Sequence, residues 1–263
     1  MNSASSEKPT VISVIIPSYN QLEGLKKTVK AFSHLRRRGL ELIIIDGAST
    51  DGSAEWIHSN CTEIDHFIVE SDKGIYDAMN KGVKLAKGDW VWFMGTGDLP
   101  VLEGVEEILR VVEVGVSISD ESDPEMLAFG VHLLAPRETG VPEFYRPVWD
   151  GKLVWRNTIH HQGAIYSRKL FKSEVYDLRF RVLADYHFNL KNWKRGVKCS
   201  CFTKIIAEVV PGGVSRDFSL SLYKEERAMK REVLTGWQNM MQGFWTRAKW
   251  LNKKIRIEPS KIH

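Results

Sequence analysis

The sequence predicts an α/β protein whose central sheet is mostly parallel and flanked by helices. Over the first hundred residues, short apolar runs alternate with stretches of helical periodicity. The apolar runs end at Pro, Asp or Gly, as strands commonly do. They are also almost uniformly apolar, which is typical of strands buried on both faces of a parallel sheet.

The first strand–helix unit starts at a β-branched run, residues 12–16, which Pro17 is expected to end. Apolar residues then recur at helical spacing until Gly39, so a helix is predicted there. Asn20 and Glu23 have the spacing of a capping box at the start of this helix.

The second and third units repeat this pattern. Residues 42–45 form an apolar run that ends at Asp46, and a helix is predicted from Ser53. Residues 67–69 are predicted to form the third strand. The turn that follows, 70–74, carries carboxylates and a glycine, and it leads into a helix with an apolar face.

A fourth strand is predicted at 89–94, before a polar turn. In an open α/β sheet, ligands bind outside the carboxyl ends of the strands. The side chains that reach this edge are Tyr19, Asp46, Asp72 and Asp98. Three carboxylates in one layer predict a binding site.

After residue 100 the pattern changes to a mixed architecture. A helix is predicted over 101–112, and helices are expected to start near 168, 183 and 219. Strands are predicted at 126–134 and 144–148, after His160–Gln162, and within 197–210.

The composition excludes several classes of protein. The chain has 263 residues, 43% hydrophobic and 27% charged, which is ordinary for a globular protein with a sizeable core. A net charge of +4 is too small to indicate a nucleic-acid partner. The sequence contains no run of ~18 apolar residues, so no membrane span is predicted. Met1–Thr10 lacks a secretory signal, and three cysteines without CxxC spacing suit a reduced, cytoplasmic chain.

Four motifs occur in order along the first hundred residues. They read VIIPSYN at 14–20, IDGASTDGS at 45–53, SDKGIYDAMNKG at 71–82 and GDWVWFMGTGD at 88–98. With them the chain resembles glycosyltransferase family 2, inverting enzymes with a GT-A (Rossmann-like) nucleotide-sugar fold. The similarity is to the bacterial branch that builds capsule, exopolysaccharide and O-antigen.

The resemblance implies a metal-dependent inverting glycosyltransferase. It would move a sugar from a nucleoside-diphosphate sugar, UDP being favoured over GDP, to a hydroxyl of a glycan or polyprenyl-diphosphate-linked acceptor. One GT-A domain is expected at 11–216, with a nucleotide-sugar-binding half at 11–100 and an acceptor half at 101–216. A disordered N-terminus (1–10) and a C-terminal helical extension (217–263) would flank it.

The resemblance also implies which residues contact the donor. Pro17, Tyr19 and Asp46 would line the base and ribose pocket, and Asp72 and Lys73 would close over the nucleotide. The full set of implied substrate-binding residues is Pro17, Tyr19, Asn20, Asp46, Ser49, Asp51, Asp72, Lys73, Gly74, Asn80, Thr96, Gly97, His160, His161 and Gln162.

The metal site implied by the resemblance centres on Asp98, which stands where the family's DxD motif ends. It would hold Mg²⁺ or Mn²⁺ on the donor diphosphate. Thr96 and Gly97 precede it, so this motif offers one carboxylate instead of two. Mg²⁺ keeps several waters and binds mainly through substrate phosphates, so one carboxylate suffices chemically.

An inverting transfer needs one base to deprotonate the acceptor hydroxyl. By resemblance this base is Asp185, at the start of a helix in the second half, and Asp177 is the nearest competitor. A stabilising carboxylate at a helix N-terminus is the alternative interpretation of Asp185. Residues 212–215 resemble a glycine-containing loop that closes over the active site.

The tail carries a basic amphipathic pattern at 241–257, which suits either peripheral contact with an anionic membrane or packing on the core. Two further functions stay open from the sequence. One is a nucleotidyltransferase, although residues 17–20 lack the glycine and basic residues of a phosphate loop. The other is a catalytically inactive nucleotide-sugar-binding protein, which the reduced DxD motif favours.

Overall fold

The structure is a computed structural model that describes residues 11–115, 123–134, 142–210, 220–236 and 238–241. Three predicted features lie outside these ranges: the N-terminus at 1–10, the glycine loop at 212–215 and nearly all of the basic tail at 241–257.

The described residues form one nine-stranded sheet. Its strands are β1 (Ile12–Ser18), β2 (Leu40–Asp46), β3 (His66–Val69), β4 (Trp90–Phe93), β5 (Leu99–Pro100), β6 (Met126–Leu133), β7 (Phe144–Tyr145), β8 (Ala164–Ser167) and β9 (Cys199–Val209). They run in the order β3-β2-β1-β4-β8-β6-β9-β5, and β7 pairs with β6.

Seven helices accompany the sheet in the described ranges. They are α1 (Leu22–Ser33), α2 (Ser53–Ser59), α3 (Ile75–Leu85), α4 (Leu102–Gly115), α5 (Leu170–Ser173), α6 (Ala184–Lys194) and α7 (Leu220–Val233). None of them is long and apolar enough to cross a bilayer.

The two halves of the sheet differ, as predicted. Strands β1 to β4 are joined by parallel ladders, whereas β8 joins β4 and β6 in antiparallel fashion. Strand β9 runs parallel to β6 and antiparallel to β5. The predicted elements occur in the predicted order, but several bounds differ: α1 ends at Ser33 instead of near Gly39, and β7 is shorter than 144–148. Strand β5 was not predicted.

Two cores cover the faces of the sheet. In β1 and β2, successive side chains alternate between them, so Val14 and Ile44 belong to one core while Ile15 and Ile45 belong to the other. Helices α1 and α4 cover the first face, and α3 and α6 cover the second. Uniformly apolar strands therefore predict burial on both sides.

Pro17 does not end β1, contrary to the sequence prediction. It lies inside the strand and opposes Ile45 of β2. The ladder to β4 stops at Ile15, so β1 is unpaired on that side at Pro17. A missing N–H is tolerated there because no ladder bond needs it.

The predicted capping box at Asn20 and Glu23 is also wrong. Helix α1 has no side-chain cap from its own N-cap residue, Gln21. Asn20 adopts φ 49° and turns its side chain toward the next loop. The amide of Leu22 is instead capped from outside the helix by Asp51, whose Oδ2 accepts at 2.8 Å.

Helix α7 is part of the second core, although the sequence suggested an extension beyond the domain. Met229 and Leu234 are buried in the core that also holds α6. Lys230 is 1% exposed, and its Nζ donates to Glu226 at 2.7 Å and to the carbonyl oxygen of Trp155 at 3.1 Å. The predicted boundary at 216 therefore does not mark the end of the packed structure.

Candidate active site

The carboxyl ends of β1, β2 and β3 lie level with one another. In the ladder, Ser18 opposes Asp46, and Asp46 opposes Val69. The loops that follow these three strands therefore leave the sheet side by side. This edge is where the sequence predicts ligand binding.

Asp46 builds the loop after β2. Its Oδ1 accepts from the Ser49 amide and its Oδ2 from the Ser49 hydroxyl, both at 2.7 Å. The side chain is fully buried. Both oxygens serve the loop, and the predicted contact of Asp46 with the base or ribose stays a prediction.

Asn20, Ser49 and Asp51 join the loops after β1 and β2. The Asn20 amide donates to Ser49 Oγ at 2.7 Å, and Asn20 Oδ1 accepts from the Thr50 amide at 2.8 Å. Asp51 Oδ1 accepts from the Ser53 hydroxyl at 2.6 Å, and this bond is the main cause that lowers the pKa of Asp51. These three residues, predicted to bind the sugar donor, therefore form hydrogen bonds within the two loops.

Tyr19 and Asp72 meet at Gly47. A Cβ added to Gly47 would lie 2.7 Å from Asp72 Oδ2 and 3.2 Å from the Tyr19 ring. The Tyr19 side chain is 63% exposed, and Asp72 is half-buried. Glycine at 47 therefore allows an exposed aromatic ring and a carboxylate to lie side by side at the sheet edge. Pro17, which was also predicted to line the donor pocket, is buried in β1.

The turn before α3 is held by its own carboxylates. The Gly74 amide donates to Asp72 Oδ1 at 2.8 Å, and the Lys73 amide donates to Asp77 Oδ2 at 3.0 Å. Gly74 has φ 114°, a conformation that favours glycine. Lys73 is exposed, so the turn presents a cation beside Asp72.

Asn80 does not face the donor edge, and this corrects its assignment as a substrate-binding residue. Its Nδ2 donates to the carbonyl oxygen of Tyr176 at 2.8 Å, and its Oδ1 accepts from the Tyr176 amide at 3.0 Å. Both ends of the side-chain amide thus bind the segment before α6.

Thr96 and Gly97 pack against α1. The Gly97 amide donates to Thr28 Oγ1 at 2.9 Å, and the space beside Gly24 is closed by the main chain of Thr96 and Gly97. Gly97 has φ 92°, which suits glycine. These residues shape the turn that carries Asp98.

Asp98 is the carboxylate of this turn, and it is only 3% exposed. Its Oδ2 accepts from Gln162 Nε2 at 2.7 Å and from the Gly95 amide at 3.1 Å, and its Oδ1 accepts from the Val210 amide at 2.9 Å. Burial raises the pKa of Asp98 to about 6, and these three hydrogen bonds oppose the rise.

Asp98 can contribute one protein ligand to a divalent cation. A carboxylate offers about four lone-pair positions, and three of those of Asp98 already accept hydrogen bonds. Among the residues that the structure describes, no three His, Cys, Asp or Glu side chains form a group that could hold a metal ion.

His161 and Gln162 form a turn beside Asp98. Trp92 of β4 holds this turn, because its Nε1 donates to the Gln162 carbonyl oxygen at 2.8 Å. Gln162 Oε1 and His161 Nε2 are buried without a hydrogen-bond partner in the structure. Burial lowers the pKa of His161 to about 4, so the ring is neutral near pH 7. A bound ligand, ion or water would supply the partners that these two buried atoms lack.

The ring of His160 lies beside those of its neighbours. It stacks on His161 with centroids 5.6 Å apart, and Tyr145 approaches it edge-on at 5.5 Å. The structure thus brings His160, His161 and Gln162 to the side of the turn that carries Asp98.

Asp185 lies in the first turn of α6 and is 7% exposed. The Tyr76 hydroxyl is 2.9 Å from its Oδ1. Burial raises the pKa of Asp185, and hydrogen bonds from Tyr76 and from the Asn157 side chain oppose the rise. A buried carboxylate with a raised pKa is what a general base needs to accept a proton.

Asp177, the competitor, is occupied by an ion pair. Arg179 Nη2 lies 2.6 Å from its Oδ2, and the same guanidinium contacts Glu232 at 2.8 Å. The hydrogen bond from Arg179 lowers the pKa of Asp177. A carboxylate held by a guanidinium is a poor proton acceptor, so the contacts favour Asp185.

Sequence reasoning missed three residues around Asp185. Tyr76 lies within the motif at 71–82, and Asn157 lies in a stretch without a recognisable pattern. The third is Glu225 of α7, whose Oε1 accepts from the amides of Val182 and Leu183 at 2.8 and 2.7 Å, just before α6 begins. Contacts between residues so far apart in sequence leave no signal in local spacing.

The fold and this edge place the chain in the class of α/β proteins that bind nucleotides at the carboxyl ends of a sheet. The family model described as Glycosyl transferase family 2 matches residues 13–117. A PGL/p-HBAD biosynthesis glycosyltransferase of Mycobacterium bovis (strain BCG / Pasteur 1173P2) is 31% identical over 190 residues, 69% of each chain. The chain belongs to glycosyltransferase family 2 and is a glycosyltransferase.

Two solved structures share the fold. S. aureus TarS 1-349 in complex with UDP-GlcNAc matches with a TM-score of 0.65 and 15% identity, covering 96% of this chain and 74% of that one. Mannosyltransferase PcManGT from Pyrobaculum calidifontis, in complex with GDP-Man and Mn²⁺, matches with a TM-score of 0.60 and 16% identity, covering 95% and 76%. The expected GT-A fold is confirmed.

Proposed function

We propose that this glycosyltransferase transfers a sugar from a nucleoside-diphosphate sugar, with inversion, and that Asp185 is the base. The observation that carries the proposal is a buried carboxylate whose pKa is raised and which contacts Tyr76, four residues after Asp72 on the donor edge. Family membership supports the reaction class, and the ion pair of Asp177 with Arg179 favours Asp185 over this competitor.

In the proposed reaction, Asp185 takes the proton of the acceptor hydroxyl. The hydroxyl oxygen forms a bond to the anomeric carbon of the donor from the opposite face. The bond from that carbon to the diphosphate oxygen breaks, and its electron pair leaves with the nucleoside diphosphate. Three residues at the sheet edge are proposed to bind the donor: the exposed Tyr19 and Lys73 and the half-buried Asp72.

We propose that Mg²⁺ or Mn²⁺ enters with the donor diphosphate, with Asp98 as its one protein ligand. When bound, a hard cation neutralises negative charge that develops on the leaving diphosphate. Calorimetric titration with Mn²⁺ tests this: tight binding is expected with UDP present and weak binding without it. Equally tight binding without nucleotide would mean that the chain holds the cation itself.

The finer identity of the substrates is also a proposal. We propose UDP over GDP as the donor nucleotide and a hydroxyl of a glycan or lipid-linked glycan as the acceptor, at the cytoplasmic face of a membrane. The relative named for PGL/p-HBAD biosynthesis supports a biosynthetic role for the transfer. Thermal shift with matched UDP-sugars and GDP-sugars decides the nucleotide, because a ligand that binds the folded state raises its stability.

The base is tested with D185N and its matched control, D177N. We expect D185N to bind the donor normally and to lose transfer by on the order of 10²-fold or more, the usual scale for a general base. D177N should keep most of its turnover, because Asp177 is ion-paired with Arg179. Full turnover in D185N would assign the proton transfer to another group.

A further inference from the structure

Tyr76 lies between the donor edge and the proposed base. It follows the turn that contains Asp72 and Gly74, and it stands in the first turn of α3. Its ring is buried, at 8% exposed, against Tyr176 with centroids 5.2 Å apart. From this position its hydroxyl reaches across to the other half of the domain, where α6 begins.

The Tyr76 hydroxyl has one proton and two acceptors within reach. It is 2.9 Å from Asp185 Oδ1 and 2.8 Å from the carbonyl oxygen of Val182. A charged acceptor makes the stronger hydrogen bond, so the proton points to Asp185 while that carboxylate is ionised. Once Asp185 has taken a proton, the Val182 carbonyl becomes the competing acceptor.

We propose that Tyr76 is a positioning residue for the transfer reaction: its hydroxyl orients the Asp185 carboxylate and stabilises it in the ionised form that accepts the proton. The inference rests on the proposed role of Asp185 as the base. It adds that the helix following the donor-binding turn also sets the orientation of this carboxylate.

Several titratable groups face Asp185 from the surrounding elements and could affect its pKa. They are the phenols of Tyr145, Tyr166 and Tyr176 together with Tyr76, while the Glu225 carboxylate acts on Tyr76. The pKa of each of these phenols is raised, with burial as the main cause, so all are neutral near pH 7. Hydrogen bonding from Tyr76 is the largest effect that favours the ionised form of Asp185; the main-chain amides of Tyr186 and Asp185 and then the Asn157 side chain add to it.

The test is the pH profile of kcat for the full chain with Y76F, and Y176F as the matched control. Removing the Tyr76 hydroxyl removes a donor to the ionised base, so the acid limb of the profile should move to higher pH by about one unit. Turnover on that limb should fall about tenfold, while the donor KM stays within about twofold. Y176F removes a neighbouring buried hydroxyl and should leave the limb in place.

A double-mutant comparison separates positioning from a general loss of structure. With D185N as background, Y76F should cause no further loss of turnover, because the two residues act as one unit. An equal loss in both backgrounds, a loss that is constant across pH, or an equal shift in Y176F would overturn the inference. Wild-type turnover in D185N would instead overturn the proposed base, so the two failures are distinguishable.

If thermal unfolding shows that Y76F is not folded, 3-fluorotyrosine at position 76 replaces it. This residue keeps the ring and the hydroxyl but is a stronger hydrogen-bond donor. The acid limb should then move to lower pH. A limb that does not move would overturn the proposed role of Tyr76.

Discussion

The side chain of Asn80 binds both main-chain polar groups of Tyr176, with hydrogen bonds of 2.8 and 3.0 Å. Asn80 lies in α3, beneath the donor edge, whereas Tyr176 precedes α6 by eight residues. The two residues are 7% and 1% exposed. The contact therefore satisfies buried main-chain groups that would otherwise lack partners, and it fastens the two halves of the domain together.

We expect N80A to lose stability and to keep its donor affinity. Two buried main-chain groups would lose their partners, at a cost of about 2–4 kcal/mol of unfolding free energy. Urea unfolding measures this loss, and donor titration at low temperature measures affinity. N192A is the control: Asn192 is equally buried but donates to Phe188 within its own helix, so its loss should be smaller. Weaker donor binding with unchanged stability would return Asn80 to the binding site.

Much of the fold follows from the sequence because its signals are local. Apolar runs such as residues 42–45 report burial on both faces, and the helix at 75–85 shows its period directly. Ile75 departs from that pattern: it is 43% exposed, although it lies one helical turn before the buried Met79, on the same face by spacing. Its place in the first turn, beside the exposed Lys73 and Gly74, removes it from the core.

The candidate site was only partly predictable, and the reason is physical. The motifs locate Asp46, Asp51 and Asp98 at the correct edge, but a carboxylate there can serve a ligand or the chain's own amides. In this structure the Ser49 amide donates a hydrogen bond to Asp46, and the Leu22 amide donates one to Asp51. Which partner a carboxylate takes depends on loop geometry that residue spacing does not encode.

Gly47 allows a sharp test of the donor edge. In G47A, the added Cβ would lie 2.7 Å from Asp72 Oδ2, so the Asp72 side chain must move. We expect the donor Kd to rise on the order of tenfold, which corresponds to about 1.4 kcal/mol. G151A is the control, since no atom lies within 4 Å of a Cβ added there. An unchanged Kd in G47A would remove Asp72 and Tyr19 from the donor site.

Glu225 should matter for both stability and turnover. In E225A the amides of Val182 and Leu183 lose their acceptor, and the start of α6 with Asp185 becomes less well fixed. We expect a loss of about 2 kcal/mol of unfolding free energy and a lower kcat. E225Q keeps an oxygen at this position and should lose much less of both. If E225Q is as impaired as E225A, the charge of Glu225 acts directly and its role is not confined to capping.

The buried base should destabilise the protein at neutral pH. Burial raises the pKa of Asp185 above its ordinary value of 3.8, so between these two values the folded state binds more protons than the unfolded state. The unfolding free energy therefore falls as the pH rises through this window. Each pH unit of the window is worth about 1.4 kcal/mol.

D185N removes this titration while keeping an oxygen that can accept from Tyr76. We expect D185N to be more stable than the wild type at neutral pH and to lose that advantage as the pH falls below the raised pKa of Asp185. Urea unfolding of both proteins at several pH values measures the difference, and the other titrating groups cancel because both chains share them. A constant difference at every pH would mean that ionised Asp185 carries no burial cost.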